Sequence, residues 1–199
     1  MRSISITSAA LFPRQAIAHW RRRRSVVFAV CFAVLTSFAS SATAQQSKPE
    51  EYQVKAVYLY NFGRFIDWPA IANKDDSFTI CVLGRDPFGA VLDATLAGET
   101  IGDKKLAARR LGSTLEASNC RILFISASEA SRMKQILAAV EKSGVLTVSD
   151  LPDFTISGGM IQFVLRDNKV RFEVNLAAAE RAGLTFSSQL LKVATDVMR

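Results

Sequence analysis

Beyond residue 44 the chain contains no histidine; its single one is His19. The same stretch holds two cysteines, Cys81 and Cys120, since Cys31 also falls early. Without histidine there is no Ser-His-Asp triad, no Cys-His pair and no histidine-containing metal site. Two cysteines alone do not complete a structural zinc site, and no C-x-x-C suggests a redox motif. A Ser-Lys route to hydrolysis has no motif behind it. Excess charge is missing as well. The formal net charge is +7, but six arginines and no acid precede residue 45, which leaves only +1 for the remainder. Nucleic-acid binding therefore loses its main support.

These absences depend on reading residues 1–44 as a leader. Arg21 to Arg24 form a positive region, residues 25–38 a 14-residue apolar core, and Ala42-Thr43-Ala44 a small-x-small cleavage site. The core is shorter than the roughly 20 residues of a bilayer span, so a cut after Ala44 is expected rather than a retained anchor. Arg23 and Arg24 loosely fit a twin-arginine signal; the general secretory route is favoured because no cofactor demands folded export. The expected organisation is a signal peptide at 1–44, a tether at 45–49 and one domain at 50–199.

What is present reads as alternating helices and strands. Residues 50–67 suit a helix, with Val54, Val57, Tyr58, Phe62 and Phe65 on one stripe and Trp68-Pro69 ending it. Tyr60 and Arg64, four apart, are neighbours on the other side with Asp67; they suit a solvated face or a binding spot. Residues 78–84 (FTICVLG) and 120–126 (CRILFIS) are apolar and rich in β-branched residues, as buried strands are. Asp86-Pro87 suits a helix start, and residues 104–111 a further strand. Ser126 and Glu129 fit a capping box before a helix that stops at Gly144, with a strand at 145–149 after it. Such alternation implies an α/β sheet, at least partly parallel. Cys81 and Cys120 each sit in a strand. In an oxidising compartment an even pair with no spare reads as a structural disulfide, with a redox-active pair as the rival.

Near the end, a two-residue turn at Asp167-Asn168 pairs Leu165 with Val170, Phe163 with Phe172 and Ile161 with Val174 on one face. Gln162 with Glu173 and Val164 with Arg171 fall on the other, and a one-residue slip would destroy that segregation. Arg171, Glu173 and Asn175 on the polar face suit either a small anion, a partner, or plain solvent. Residues 84–89 (GRDPFG) join a strand to a helix start, where anions often sit, but Pro87 removes an amide donor and a capped helix is the plainer reading. Short helices are expected at 176–182 and 187–196, the second capped by Ser187 and presenting Leu190, Leu191 and Ala194.

Three segments together resemble the YfiR family: residues 54–69 (VKAVYLYNFGRFIDWP), 78–88 (FTICVLGRDPF) and 158–194, with its Gly-Gly hairpin, F-x-V-N and late S-S-x-L-L. The resemblance spans essentially the whole of residues 50–199. It implies an α/β single domain: a mixed sheet flanked by helices, a C-terminal antiparallel β-hairpin and one intramolecular disulfide, Cys81 to Cys120. A second cysteine pair found in some members is absent. The resemblance also implies a non-enzymatic periplasmic regulator without cofactor. Such a protein binds the periplasmic part of an inner-membrane diguanylate cyclase, lowering cyclic-di-GMP and biofilm formation. A homodimer and an outer-membrane lipoprotein partner are further implications. By motif position, Arg64 and Arg171 match arginines linked to nucleotide-like ligands. The alternative is a small-molecule module serving another sensor, such as a histidine kinase.

Overall fold

The structure, a computed structural model, describes residues 48–68 and 77–199. The expected leader, most of the tether and the polar break after Pro69 lie outside the described residues. No described helix is long and apolar enough to cross a membrane.

The strand at the centre is β2 (Ser77–Leu83), defined here after helix α1 (Lys48–Phe65) and the two-residue β1 (Ile66–Asp67). Every residue of β2 after Ser77 is buried. Phe78, Ile80 and Val82 join one apolar cluster, while Cys81 and Leu83 join another. A strand covered on both faces reads as a near-continuous apolar run, which is why FTICVL, with Thr79 its one polar residue, does not alternate. The chain continues through α2 (Ala90–Leu96), β3 (Thr100–Ile101), β4 (Lys104–Leu111), a 3-10 turn, β5 (Ile122–Ile125), a second 3-10 turn and α3 (Met133–Val140). It then forms β6 (Leu146–Ser149), β7 (Ile161–Arg166), β8 (Lys169–Asn175), α4 (Leu176–Arg181), β9 (Thr185–Phe186), α5 (Ser188–Val193) and β10 (Asp196–Met198).

Eight strands form one sheet in the order β10-β8-β7-β6-β5-β2-β4-β3. The pairs β7–β8 and β3–β4 are antiparallel and the others parallel, so the sheet is mixed as expected. β1 and β9 pair separately, Ile66 opposite Phe186. α1 packs on the first face, where Phe62, with no exposed surface, meets Phe163 at 5.8 Å and Phe172 at 5.2 Å between ring centroids. Tyr58 adds a contact to Phe172 at 5.5 Å. Each such pair adds about 1 kcal/mol beyond area burial, which fastens the hairpin to the helix. α3 and the 3-10 turns cover the second face, and the disulfide lies there. Cys81 and Cys120 are bonded with Cα atoms 5.9 Å apart, tying the middle of β2 to the entry of β5.

The hairpin has the expected register, Leu165 opposite Val170, Phe163 opposite Phe172 and Ile161 opposite Val174. Asp167 and Asn168 have φ of 52° and 56°, the mirror-image turn that matches strand twist. On that apolar face Leu165 is 54% exposed, at the part of β7 that runs on past the end of β6.

Four expectations need correction. The buried stripe of α1 is Lys55, Ala56, Leu59 and Phe62, with Tyr52 half-buried beside it, whereas Val54 and Val57 are exposed. The rotation follows Lys55, buried by ion pairing rather than hydrophobicity. Ser126 makes no cap: its hydroxyl donates to the Arg85 carbonyl at 2.6 Å, and Glu129 accepts from Arg132 instead. Asp86 forms a turn by accepting from the Phe88 N–H at 2.8 Å, and α2 starts later, at Ala90. The last helix is capped by Ser187 as expected, with Leu190 N–H donating at 3.2 Å, but it ends at Val193 and gives way to β10.

Candidate binding surface

After β2 the chain places β4 on one side of it and then β5 on the other, so the order reverses between β2 and β5. In open α/β sheets, crevices for ligands form outside the carboxyl ends at such a reversal. Here the loops at 84–89 and 126–128 meet. Gly84 has φ of 88°, and a Cβ there would lie 2.4 Å from Ser128 Oγ, so the loops close only over glycine. The Arg85 N–H donates to Ser128 Oγ at 2.9 Å. Arg110, from β4, braces the first loop: its Nε donates to Asp86 at 2.8 Å, and its terminal nitrogens donate to Asp93 and to the Gly89 carbonyl. The fork on Asp93 raises the Arg110 pKa and holds the Asp93 carboxyl below its ordinary value. Between the loops lies a crevice of about 450 Å³, lined by Tyr52, Arg85, Asp86, Ser126 and Ser128 among others. Arg85 is exposed and offers it a guanidinium.

A second cleft, of about 510 Å³, adjoins β6 and β7 at the same end of the sheet. Its inner wall is an ionic cluster. Lys55, 2% exposed, donates to Asp150 at 2.6 Å and pairs with Glu51 at 2.5 Å. Its ammonium also sits 4.4 Å from the Tyr52 ring centre. Tyr52 donates to Asp150 at 2.7 Å, and burial together with that carboxylate pushes its pKa well up. A cation buried between two carboxylates and an aromatic face holds α1 against the end of β6.

The expected site residues fall in separate places. Tyr60 donates to Glu99 at 2.8 Å, which raises its pKa, and Arg64 lies 5.7 Å from the Tyr60 ring centre. Both stand on the side of α1 toward β3. Arg171 is exposed on the second face of β8, and Glu173, half-buried beside it, accepts from Arg166 at 3.3 Å. The structure therefore does not bring Arg64 and Arg171 together: they lie on opposite faces of the sheet. Asn175 is committed internally, accepting from Ala178 N–H at 2.9 Å as the cap of α4 and donating to the Thr155 carbonyl at 2.8 Å. Lys55 and Asp150 escaped the sequence reading because a lysine on an apolar stripe looks solvated until its carboxylates are placed. The one available signal was Glu51, four residues before Lys55.

The fold and its surface define a disulfide-tied α/β domain whose crevices lie at the carboxyl edge of a mixed sheet. A family profile described as DUF4154, YfiR/HmsC-like, matches residues 52–195, and the chain belongs to that family. No curated protein matches the sequence. Among solved structures, a conserved domain protein from Vibrio cholerae O1 biovar El Tor str. N16961 is similar, with a TM-score of 0.51 at 11% identity. The match covers 71% of this chain and 59% of that one. The ABC domain in complex with L-Trp from Streptococcus pneumonia reaches a TM-score of 0.49 at 12% identity, covering 74% and 60% respectively. The chain thus spans less than two thirds of the length of each of these structures.

Proposed function

We propose that this protein is exported, that residues 1–44 are removed as a signal peptide, and that the remaining domain acts in the periplasm. There it binds and represses the periplasmic sensor domain of an inner-membrane diguanylate cyclase, lowering cyclic-di-GMP and biofilm formation. The observation that carries this reading is the YfiR/HmsC-like match over residues 52–195. A catalytic inventory without histidine beyond residue 44 agrees with a regulator that occupies a sensor rather than transforming a substrate. Partner contact falls to exposed groups such as Arg64 and Arg171, on opposite faces, so a cyclase domain reaches one set while a second copy or an outer-membrane lipoprotein reaches the other. Deletion of the gene raises cyclic-di-GMP and adhesion, and the tagged protein captures a membrane cyclase. Unchanged cyclic-di-GMP together with no captured cyclase removes the reading.

A second reading is favoured by the crevice between β2 and β5, which presents Arg85 beside Ser126 and Ser128. In it the domain takes up a nucleotide-like anion for another sensor, such as a histidine kinase. Calorimetry with mononucleotides separates the two: binding that Arg85→Ala abolishes supports the second, and flat titrations remove it.

A further inference from the structure

β7 is longer than the neighbour that covers it. β6 pairs with it only at Val148–Ile161 and Ser149–Gln162, and then turns away onto the second face, where Leu151 and Phe154 are buried. Four residues of β7, from Phe163 to Arg166, project past this point with β8 on one side and no described strand on the other. At about 3.3 Å per residue the bare edge is roughly 13 Å long.

The direction of its backbone groups follows from the hairpin. The Met160 carbonyl accepts from Asn175 N–H at 2.8 Å, so even-numbered residues of β7 bond toward β8. The N–H and C=O groups of Phe163 and Leu165 therefore point the other way; the Phe163 N–H is taken by the Ser149 carbonyl in the parallel ladder, so the Phe163 C=O and both backbone groups of Leu165 are left facing the 510 Å³ cleft. The cleft walls contain Glu51, Asp150, Asp153 and Glu173 against Lys55 and Arg166, an excess of two negative charges. Lys55 is already shared by Glu51 and Asp150, and Arg166 by Glu173. The Asp153 carboxylate has no hydrogen bond or ion pair with any described residue, although its backbone carbonyl accepts from the Ser157 N–H.

We propose that this cleft receives an extended, basic segment of a partner protein, which adds to β7 as an extra strand. Backbone bonds to the Phe163 carbonyl and to the N–H and C=O of Leu165 supply the attachment, and lysines or arginines facing Asp153 and the other wall carboxylates supply selectivity. A second copy of this chain fits poorly, because it would set one acidic wall against another. The proposal stands apart from the cyclase reading, since a short peptide tests it without any cyclase.

The test uses the oxidised protein, labelled with nitrogen-15, and two probe peptides, acetyl-KVKVKV-amide and acetyl-EVEVEV-amide. The basic peptide should shift the Leu165 amide signal and slow its hydrogen exchange, and bind about tenfold tighter than the acidic one. Leu165→Pro removes an N–H that β8 does not use and should weaken binding about tenfold, while Leu165→Ala, which keeps the N–H, should leave it nearly unchanged. Asp153→Asn keeps the turn and should weaken the basic peptide about threefold, with a smaller salt dependence. No shift at the Leu165 amide up to millimolar peptide would overturn the proposal. So would equal binding of the acidic peptide, or self-association mapped to Phe163–Leu165.

Discussion

Reducing the Cys81–Cys120 bond should cost this fold a large part of its stability. The bond closes a loop of 39 residues, for which the chain-entropy relation gives about 4 kcal/mol at 25 °C. Both sulfurs are buried, Cys81 completely and Cys120 to within 3% exposure, so reduction leaves two thiols inside the second apolar cluster rather than in water. Against a total of about 5–15 kcal/mol for a domain, that loss is severe. With a urea m-value of about 2 kcal/mol/M, the midpoint should fall by about 2 M between oxidised and reduced protein. Trp68, edge-on to Phe78 at 5.2 Å, supplies the fluorescence signal in protein produced from residue 45 onward, which lacks Trp20. A fall under about 0.5 M would refute the reasoning. So would two thiols that titrate freely in the folded, unreduced protein.

Lys55→Met strands Glu51 and Asp150 without their cation and should cost about 3 kcal/mol in urea titration. Asn175→Ala removes the cap of α4 and the bond to Thr155, for a loss of about 2 kcal/mol by the same measurement. Asp93 has a depressed carboxyl in the fold, so its pairing with Arg110 stabilises fully above the ordinary carboxylate value and is lost as pH falls through the depressed one. Urea midpoints between about pH 2 and 5 should therefore fall less steeply for Asp93→Asn than for the parent.

Local pattern carried the parts of the fold that local physics decides. The hairpin was legible because every apolar residue from Ile161 to Val174 except Val164 falls on one side of a two-residue period, and Asp167-Asn168 suits φ > 0. The disulfide was legible because Cys81 and Cys120 had no competing partners once the leader was set aside. The phase of α1 was not, since Val54 and Val57 look more buriable than Lys55, and only the distant Asp150 reverses the order. β10 is three residues whose pairing with β8 depends on tertiary contact, so nothing in Asp196-Val197-Met198 announces a strand. The crevice at Arg85 and the bare edge of β7 both arise from strand order and unequal strand length. Neither property is written in any one stretch, whereas the candidates Tyr60, Arg64, Arg171 and Glu173 were visible as polar residues on amphipathic elements.

The central claim is repression of a membrane cyclase by direct contact, and it is tested most directly on membranes containing that cyclase. Purified oxidised protein, added in increasing amounts to its periplasmic side, should lower cyclic-di-GMP synthesis saturably at a one-to-one ratio with the sensor domain. A rate of synthesis that stays constant at saturating protein, with the cyclase shown to be active, would contradict it.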